Sequence, residues 1–140
     1  MRFDKLTVKA QEAVARAQQI AQESDHAEIT PLHLLSALLA ETDGVFIPLL
    51  QKLGADPERL ARIVGGELDR LPKATGTQTG TSRALNDVFN QAQKEADRLK
   101  DEYISTEHFL LALAQVKSDA REVLSVSGVN HNAILAALKD

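Results

Sequence analysis

Two short stretches of this chain are apolar on nearly every side. They are Ile29-Thr30-Pro31-Leu32-His33-Leu34-Leu35-Ser36-Ala37-Leu38 and Ile104-Ser105-Thr106-Glu107-His108-Phe109-Leu110-Leu111-Ala112-Leu113. Each begins with an isoleucine and passes through a hydroxyl residue, Thr30 or Ser105, that predicts a helix N-cap. Pro31 suits a first helical position, where its missing N–H costs nothing. The helix beyond each cap is too apolar to leave a broad face in water, so other helices must surround it. The pattern therefore predicts two small helical units, each built around its own central helix.

The two units are copies. His33 and His108 lie 75 residues apart, 108 minus 33, and that register places Val14 on Phe89, Ala17 on Ala92, Ala21 on Ala96 and Ile29 on Ile104. After a one-residue gap, Gly54 falls on Gly128, Leu60 on Ile134 and Val64 on Leu138. Cap residues and helix stops align along with apolar positions, which marks an internal duplication with a period longer than the common solenoid repeats. The predicted fold is all-α, a single domain over residues 1–140 made of two pseudo-symmetric four-helix repeats. Repeat one covers about residues 1–71, a linker about 72–80, and repeat two about 81–140.

Within repeat one, Phe3 and Leu6 form a short lead-in that tucks against the body. Thr7 caps a helix running to about Glu23, whose inward stripe is mostly alanine: Ala10, Ala13, Val14, Ala17, Ile20 and Ala21. A polar connection, Ser24 to Glu28, leads to the first central helix. Thr42-Asp43-Gly44 ends that helix, and Val45 to Leu53 form a short apolar one stopped by a left-handed Gly54. Asp56, Pro57 and Glu58 then open a fourth helix, in which Gly65-Gly66 weakens the middle by roughly 1 kcal/mol per glycine relative to alanine. The stretch from Leu71 to Gly80 is rich in threonine, glycine and proline and predicts an exposed connection. In repeat two, Thr81 or Ser82 caps a helix with Leu85, Val88, Phe89, Ala92, Ala96 and Leu99 on its stripe. After the second central helix come Ala120 to Val126, a stop at Gly128, an Asn130 cap and a last helix holding Ile134, Leu135 and Leu138. The chain reads as a domain cut from a longer protein.

Composition adds exclusions. Aromatic residues make up only 4%, so the core is built from Leu, Val, Ile and Ala. No cysteine is present, which removes disulfides and thiolate zinc sites and fits a reducing cytoplasm. A net charge of −4 argues against nucleic acid as a partner. No apolar run reaches the ~18–20 residues of a membrane span, and the N-terminus lacks a signal-peptide pattern.

Candidate chemistry is thin. Gly76-Thr77-Gln78-Thr79-Gly80 has three residues between its glycines and no following lysine, so it lacks the spacing of a P-loop. His33 and His108 match by repetition and read as copied packing or capping residues. No His-x-x-x-His pair accompanies them to suggest a metal. His26 and His131 read as loop residues. Asp101 and Glu102 read as a solvated helix end, and Glu107 as a first-turn acid favoured by the helix dipole. No Ser-His-Asp arrangement stands out, and the stretch is not expected to be an enzyme.

Four motifs carry a resemblance: Met1-Arg2-Phe3-Asp4-Lys5-Leu6-Thr7, Ile29-Thr30-Pro31-Leu32-His33-Leu34-Leu35, Arg70-Leu71-Pro72-Lys73, and Tyr103-Ile104-Ser105-Thr106-Glu107-His108. Together they resemble the Clp N-terminal domain family, and the Leu-Pro-Lys linker tilts the likeness toward the ClpB disaggregases over the ClpA and ClpC unfoldases. The resemblance implies a module of a hexameric AAA+ chaperone, flexibly tethered on the side where clients arrive, that engages unfolded or aggregated proteins. Those assemblies work with a DnaK-type chaperone system through other domains. ATP and Mg would belong to those other domains, leaving no cofactor here. The isolated domain is expected to be a monomer in the cytoplasm, with no membrane or nucleic-acid partner.

The same resemblance assigns client handling to Thr7, Asp101 and Glu107. It also implies a hydrophobic groove beside Glu107, for which Leu110 and Leu111, one turn on, are candidate lining residues. Burial in the core is the competing reading of both leucines, and an N-cap role is the competing reading of Thr7. The rival function is an adaptor-docking domain of a protease-linked ClpA- or ClpC-type unfoldase. A further rival is a free-standing helical scaffold.

Overall fold

The computed structural model describes residues 3–76 and 78–139. Met1, Arg2, Thr77 and Asp140 lie outside the described residues. Eight α-helices are found among those described: α1 (Val8–Glu23), α2 (Pro31–Leu39), α3 (Phe46–Lys52), α4 (Pro57–Asp69), α5 (Arg83–Arg98), α6 (Thr106–Gln115), α7 (Asp119–Val126) and α8 (His131–Lys139). The fold is all-α with the expected duplication. None of the described helices is long and apolar enough to cross a membrane.

The stops and starts reflect the cap chemistry. Thr7 Oγ1 accepts from Ala10 N–H, Ser82 Oγ from Leu85 N–H, Asp56 from the N–H groups of Glu58 and Arg59, and Asn130 Oδ1 from Ala133 N–H. Ser82 rather than Thr81 is therefore the cap of α5. Helix α7 starts one residue earlier than its apolar stripe suggests, because Ser118 caps it. Gly54 and Gly128 both take left-handed backbone, at φ 81° and 79°.

The central helices α2 and α6 are the inside of the molecule. Leu34, Leu35, Leu38, Phe109, Leu110, Leu111 and Leu113 have no exposed surface, and the alanine stripe of α1 and the mixed apolar stripe of α5 pack over them. Leu110 and Leu111, candidates for a groove lining, thus face the core. A ten-residue helix enclosed by α5, α7 and α8 has no free side on which to show them. Truncating either would open a cavity costing about 2–5 kcal/mol, which would mask any effect on binding.

Both central helices begin with the same device. His33 Nδ1 accepts Thr30 N–H at 2.9 Å, and His108 Nδ1 accepts Ser105 N–H at 2.9 Å. A histidine thus fills the place usually taken by Glu or Gln in a capping box. With Nδ1 accepting, Nε2 carries the proton and donates onward, to His26 Nδ1 at 2.8 Å in repeat one and to Asp101 Oδ2 at 2.7 Å in repeat two. His26 and Asp101 are themselves related by the 75-residue register. His26, expected as a plain loop residue, is buried for this reason.

His131 also departs from the expectation of a loop. It opens α8, and its Nε2 lies 2.8 Å from Oε2 of Glu95, a carboxylate wholly buried on α5. Gln91 Nε2 donates to the same oxygen at 2.7 Å, so this buried carboxylate is held from α5 and from the start of α8 together.

The linker is exposed but not free. Gly80–Thr81 (β2) pairs in parallel with Glu28–Ile29 (β1), and Ala74 N–H donates to Asp25 O at 2.8 Å. The mate of that strand pair is a parallel bridge between Leu6 and Ile104. In the 75-residue register Leu6 corresponds to Thr81 and Ile29 to Ile104, so one contact is made twice. Each repeat's lead-in pairs with the isoleucine of the other repeat. Thr7 N–H donates to Ile104 O at 2.9 Å, and Ser82 N–H to Ile29 O at 3.0 Å.

Burial, with a smaller contribution from the His26 ring, lowers the His33 pKa from 6.5 to about 4. The folded state therefore refuses a proton that the unfolded chain accepts. Stability from this group is complete above the unfolded value and falls as pH drops toward 4, by about 1.4 kcal/mol per pH unit. A His33→Gln variant keeps the capping box but cannot titrate. Urea titrations from pH 7 to 4 should give a steeper loss of stability for the native protein than for the variant. Equal slopes would mean that His33 does not resist protonation.

Candidate functional site

Glu107 stands in the first turn of α6 between two surface recesses. One, of about 300 Å³, lies at the seam of the repeats and is lined by Thr7 and Lys9 of repeat one, the Glu41–Phe46 connection, and Ser105 to Glu107 of repeat two. The other, of about 260 Å³, is lined by Leu99, Asp101, Glu107, Leu135, Leu138 and Lys139. Thr7 shares the first recess with Glu107, and Asp101 shares the second. The three polar residues assigned by resemblance are thus strung along one surface.

Each is held by local structure. Thr7 is fixed by its cap and by its bond to Ile104. Ser105 Oγ–H donates to Glu107 Oε1, and the α6 N-terminus favours a negative charge there. Asp101 comes directly after Lys100, whose backbone is left-handed at φ 61°. Asp101 N–H then returns to Ala96 O at 2.9 Å, closing α5 in a Schellman turn. That turn aims the Asp101 carboxylate at His108, which holds one oxygen while the side chain stays 47% exposed. The capping histidine of the second central helix therefore also positions Asp101. Repeat one has the same turn, with Asp25 at φ 57° before His26.

Charge around the surface is mostly negative. Lys9 Nζ lies 2.8 Å from Asp43 and 3.0 Å from Glu41. These hydrogen bonds, that of Asp43 first, raise the Lys9 pKa, and the bond from Lys9 holds Asp43 below the usual carboxylate range. Lys9 is engaged with its own acids, which leaves Asp101 and Glu107 as the acids facing the second recess. Apolar surface is supplied by Val45, 56% exposed, by Leu99, 37% exposed, and by the half-buried Leu135 and Leu138. These four did not stand out in the sequence as surface residues, because three of them sit on the apolar periodicity of their helices. Only Val45, directly after the left-handed Gly44 in the connection that follows α2 (which ends at Leu39), carried a local hint.

Among the described residues no group of three or more His, Asp or Glu side chains is placed to hold a metal ion. The acids lie along a surface rather than converging in an enclosed cleft.

The sequence model described as "Clp repeat (R) N-terminal domain" matches residues 5–127. This chain belongs to the Clp N-terminal domain family. It is 43% identical over 138 residues to chaperone protein ClpB of Rhodopirellula baltica, covering 98% of this chain and 16% of that protein. To ClpB of Mycobacterium tuberculosis it is 41% identical over 133 residues, covering 94% of this chain and 16% of that protein. This Clp N-domain is therefore of the ClpB type, and it spans about one sixth of those relatives. Among solved structures, the Hsp104 N-terminal domain from Candida albicans matches with a TM-score of 0.83 at 21% identity, over 95% of this chain and 88% of that one. A ClpV N-domain in complex with a VipB peptide matches with a TM-score of 0.76 at 18% identity, over 96% and 89%. Both show the fold.

The Thr7 hydroxyl is a cap in this structure, whatever else it touches. Thr7→Ala should lower stability by about 1 kcal/mol, while Thr7→Ser should keep it. Chemical denaturation checks this, and an unaltered midpoint for the alanine variant would remove the capping role.

Proposed function

We propose that this domain recruits exposed apolar segments of unfolded or aggregated proteins to an ATP-dependent disaggregase. The observation that carries the reading is the position of Glu107 between the two recesses, with Thr7 on one side, Asp101 on the other, and exposed apolar carbon beside both. A misfolded client offers side chains that belong in a core, each contributing roughly 1.5–3 kcal/mol when fully desolvated. Here Val45, Leu99, Leu135 and Leu138 offer only partial cover, which supports weak and short-lived contact in the style of interfaces under about 1,200 Å². Asp101 and Glu107 favour clients with basic residues near the apolar ones.

Likeness to ClpB supports placing the domain in a chaperone whose ATP and Mg chemistry lies elsewhere in the protein. Six copies on a ring would add avidity without new contacts. Weak single contacts would then suffice, and release would stay fast. The related ClpV N-domain forms a complex with a VipB peptide, which is in keeping with a peptide segment as occupant.

The test is a titration of the domain with a reduced, carboxymethylated protein that cannot refold, monitored by backbone amide shifts. Shifts should cluster at Thr7, Val45, Leu99 to Asp101, Glu107 and Leu135 to Leu138. Glu107→Gln should weaken the interaction roughly threefold to tenfold, with stability changed by less than about 1 kcal/mol. Silence across that surface, with tight binding to one folded protein instead, would favour adaptor docking.

A further inference from the structure

The seam recess beside Glu107 has a twin. A second cavity, of about 260 Å³, is lined by Thr30, Pro31, Leu32, Leu71, Ser82, Ala84, Ser118 and Asp119. In the 75-residue register, Thr30 corresponds to Ser105, Pro31 to Thr106, Leu32 to Glu107, Ser82 to Thr7, Ala84 to Lys9, Ser118 to Asp43 and Asp119 to Gly44. Seven positions of one pocket are the seven matching positions of the other. Both lie where the two repeats meet, and both sit against the capped starts of two helices, α1 and α6 in one case and α5 and α2 in the other.

The chemistry has diverged while the shape has persisted. Lys9 becomes Ala84, Glu107 becomes Leu32 and Asp43 becomes Ser118, so the ion-paired lysine and the first-turn acid are both gone. Leu71, from the end of repeat one, adds a half-buried apolar wall. One charged side chain remains on the lining, the exposed Asp119 at the start of α7. An apolar recess with a single acid at its edge selects for an apolar side chain with a cation next to it.

We propose that this twin recess is a second client site. It takes the apolar side chain of an extended polypeptide segment that carries a lysine or arginine beside it. The site does not depend on the reading of Glu107, because it shares no residue with that surface. Two sites on one domain would let one unfolded chain be held at two points, so that its hold outlasts either contact alone.

The test uses the domain and a short Gly/Ser peptide carrying one Leu-Arg pair, with a Leu-Glu peptide as its partner probe. Leu-Arg should shift the amides of Leu32, Ala84 and Asp119, and Leu-Glu should do so roughly threefold to tenfold more weakly. Asp119→Lys should cancel that preference, and Ala84→Phe, which fills the mouth of the recess, should abolish the shifts while the amides around Glu107 respond as before. Thermal melts of both variants show whether the fold is kept. Stillness at Leu32, Ala84 and Asp119, or shifts there that both folded variants leave unchanged, overturns the second site whatever occurs at Glu107. Shifts at Ala84 with none at Glu107 sustain the second site and sink the first.

Discussion

The reciprocal pairing of lead-ins and isoleucines is the constraint on which the rest of the molecule depends. A helix as apolar as α2 or α6 cannot begin in water, because its first backbone donors and its first side chains must both be covered. Here each start is covered from the other half of the chain. Ile104 bonds to Lys5 O and to Thr7 N–H on either side of its partner Leu6, and Ser82 N–H bonds to Ile29 O beside the paired Thr81. Neither repeat is complete without its copy, and the duplication is a lock as well as a pattern.

That lock shapes the seam recesses. The recess beside Glu107 takes one wall from repeat one and the other from repeat two, and so does its twin. The same exchange that starts the central helices thus builds two seams of similar shape. Evolution of charge on an unchanged frame then distinguishes them. One seam carries Lys9, Asp43 and Glu107, while the other carries Ala84, Ser118 and Leu32. The histidine devices show the same history: one Nε2–H points to a buried ring in repeat one and to a half-exposed carboxylate in repeat two.

The helices were legible in the sequence because caps and periodicity are local. Thr7, Asp56, Ser82 and Asn130 announce their helices by type, and Gly54 and Gly128 their stops. The exchanged pairings were not legible, since a two-residue pairing across 52 positions and a single bridge across 98 leave no periodic trace. For the same reason the sequence predicts the linker's exposure but not its fastening to Asp25 and, through Thr81, to Ile29. Thr7, Asp101 and Glu107 came from resemblance and do lie along one surface. Leu110 and Leu111 were placed by proximity in sequence to Glu107. In a helix enclosed on all sides, one turn onward leads into the core rather than along the groove. The apolar carbon of the two recesses beside Glu107 comes instead from Val45, Leu99, Leu135 and Leu138, which distant parts of the chain bring together.

Interdependence of the two repeats is best tested by equilibrium urea unfolding, tracked residue by residue through amide signals. If each half completes the other, Leu35 in α2 and Leu111 in α6 lose native signal at one midpoint with one slope. Two separated midpoints, with either central helix surviving the loss of the other, would contradict the account.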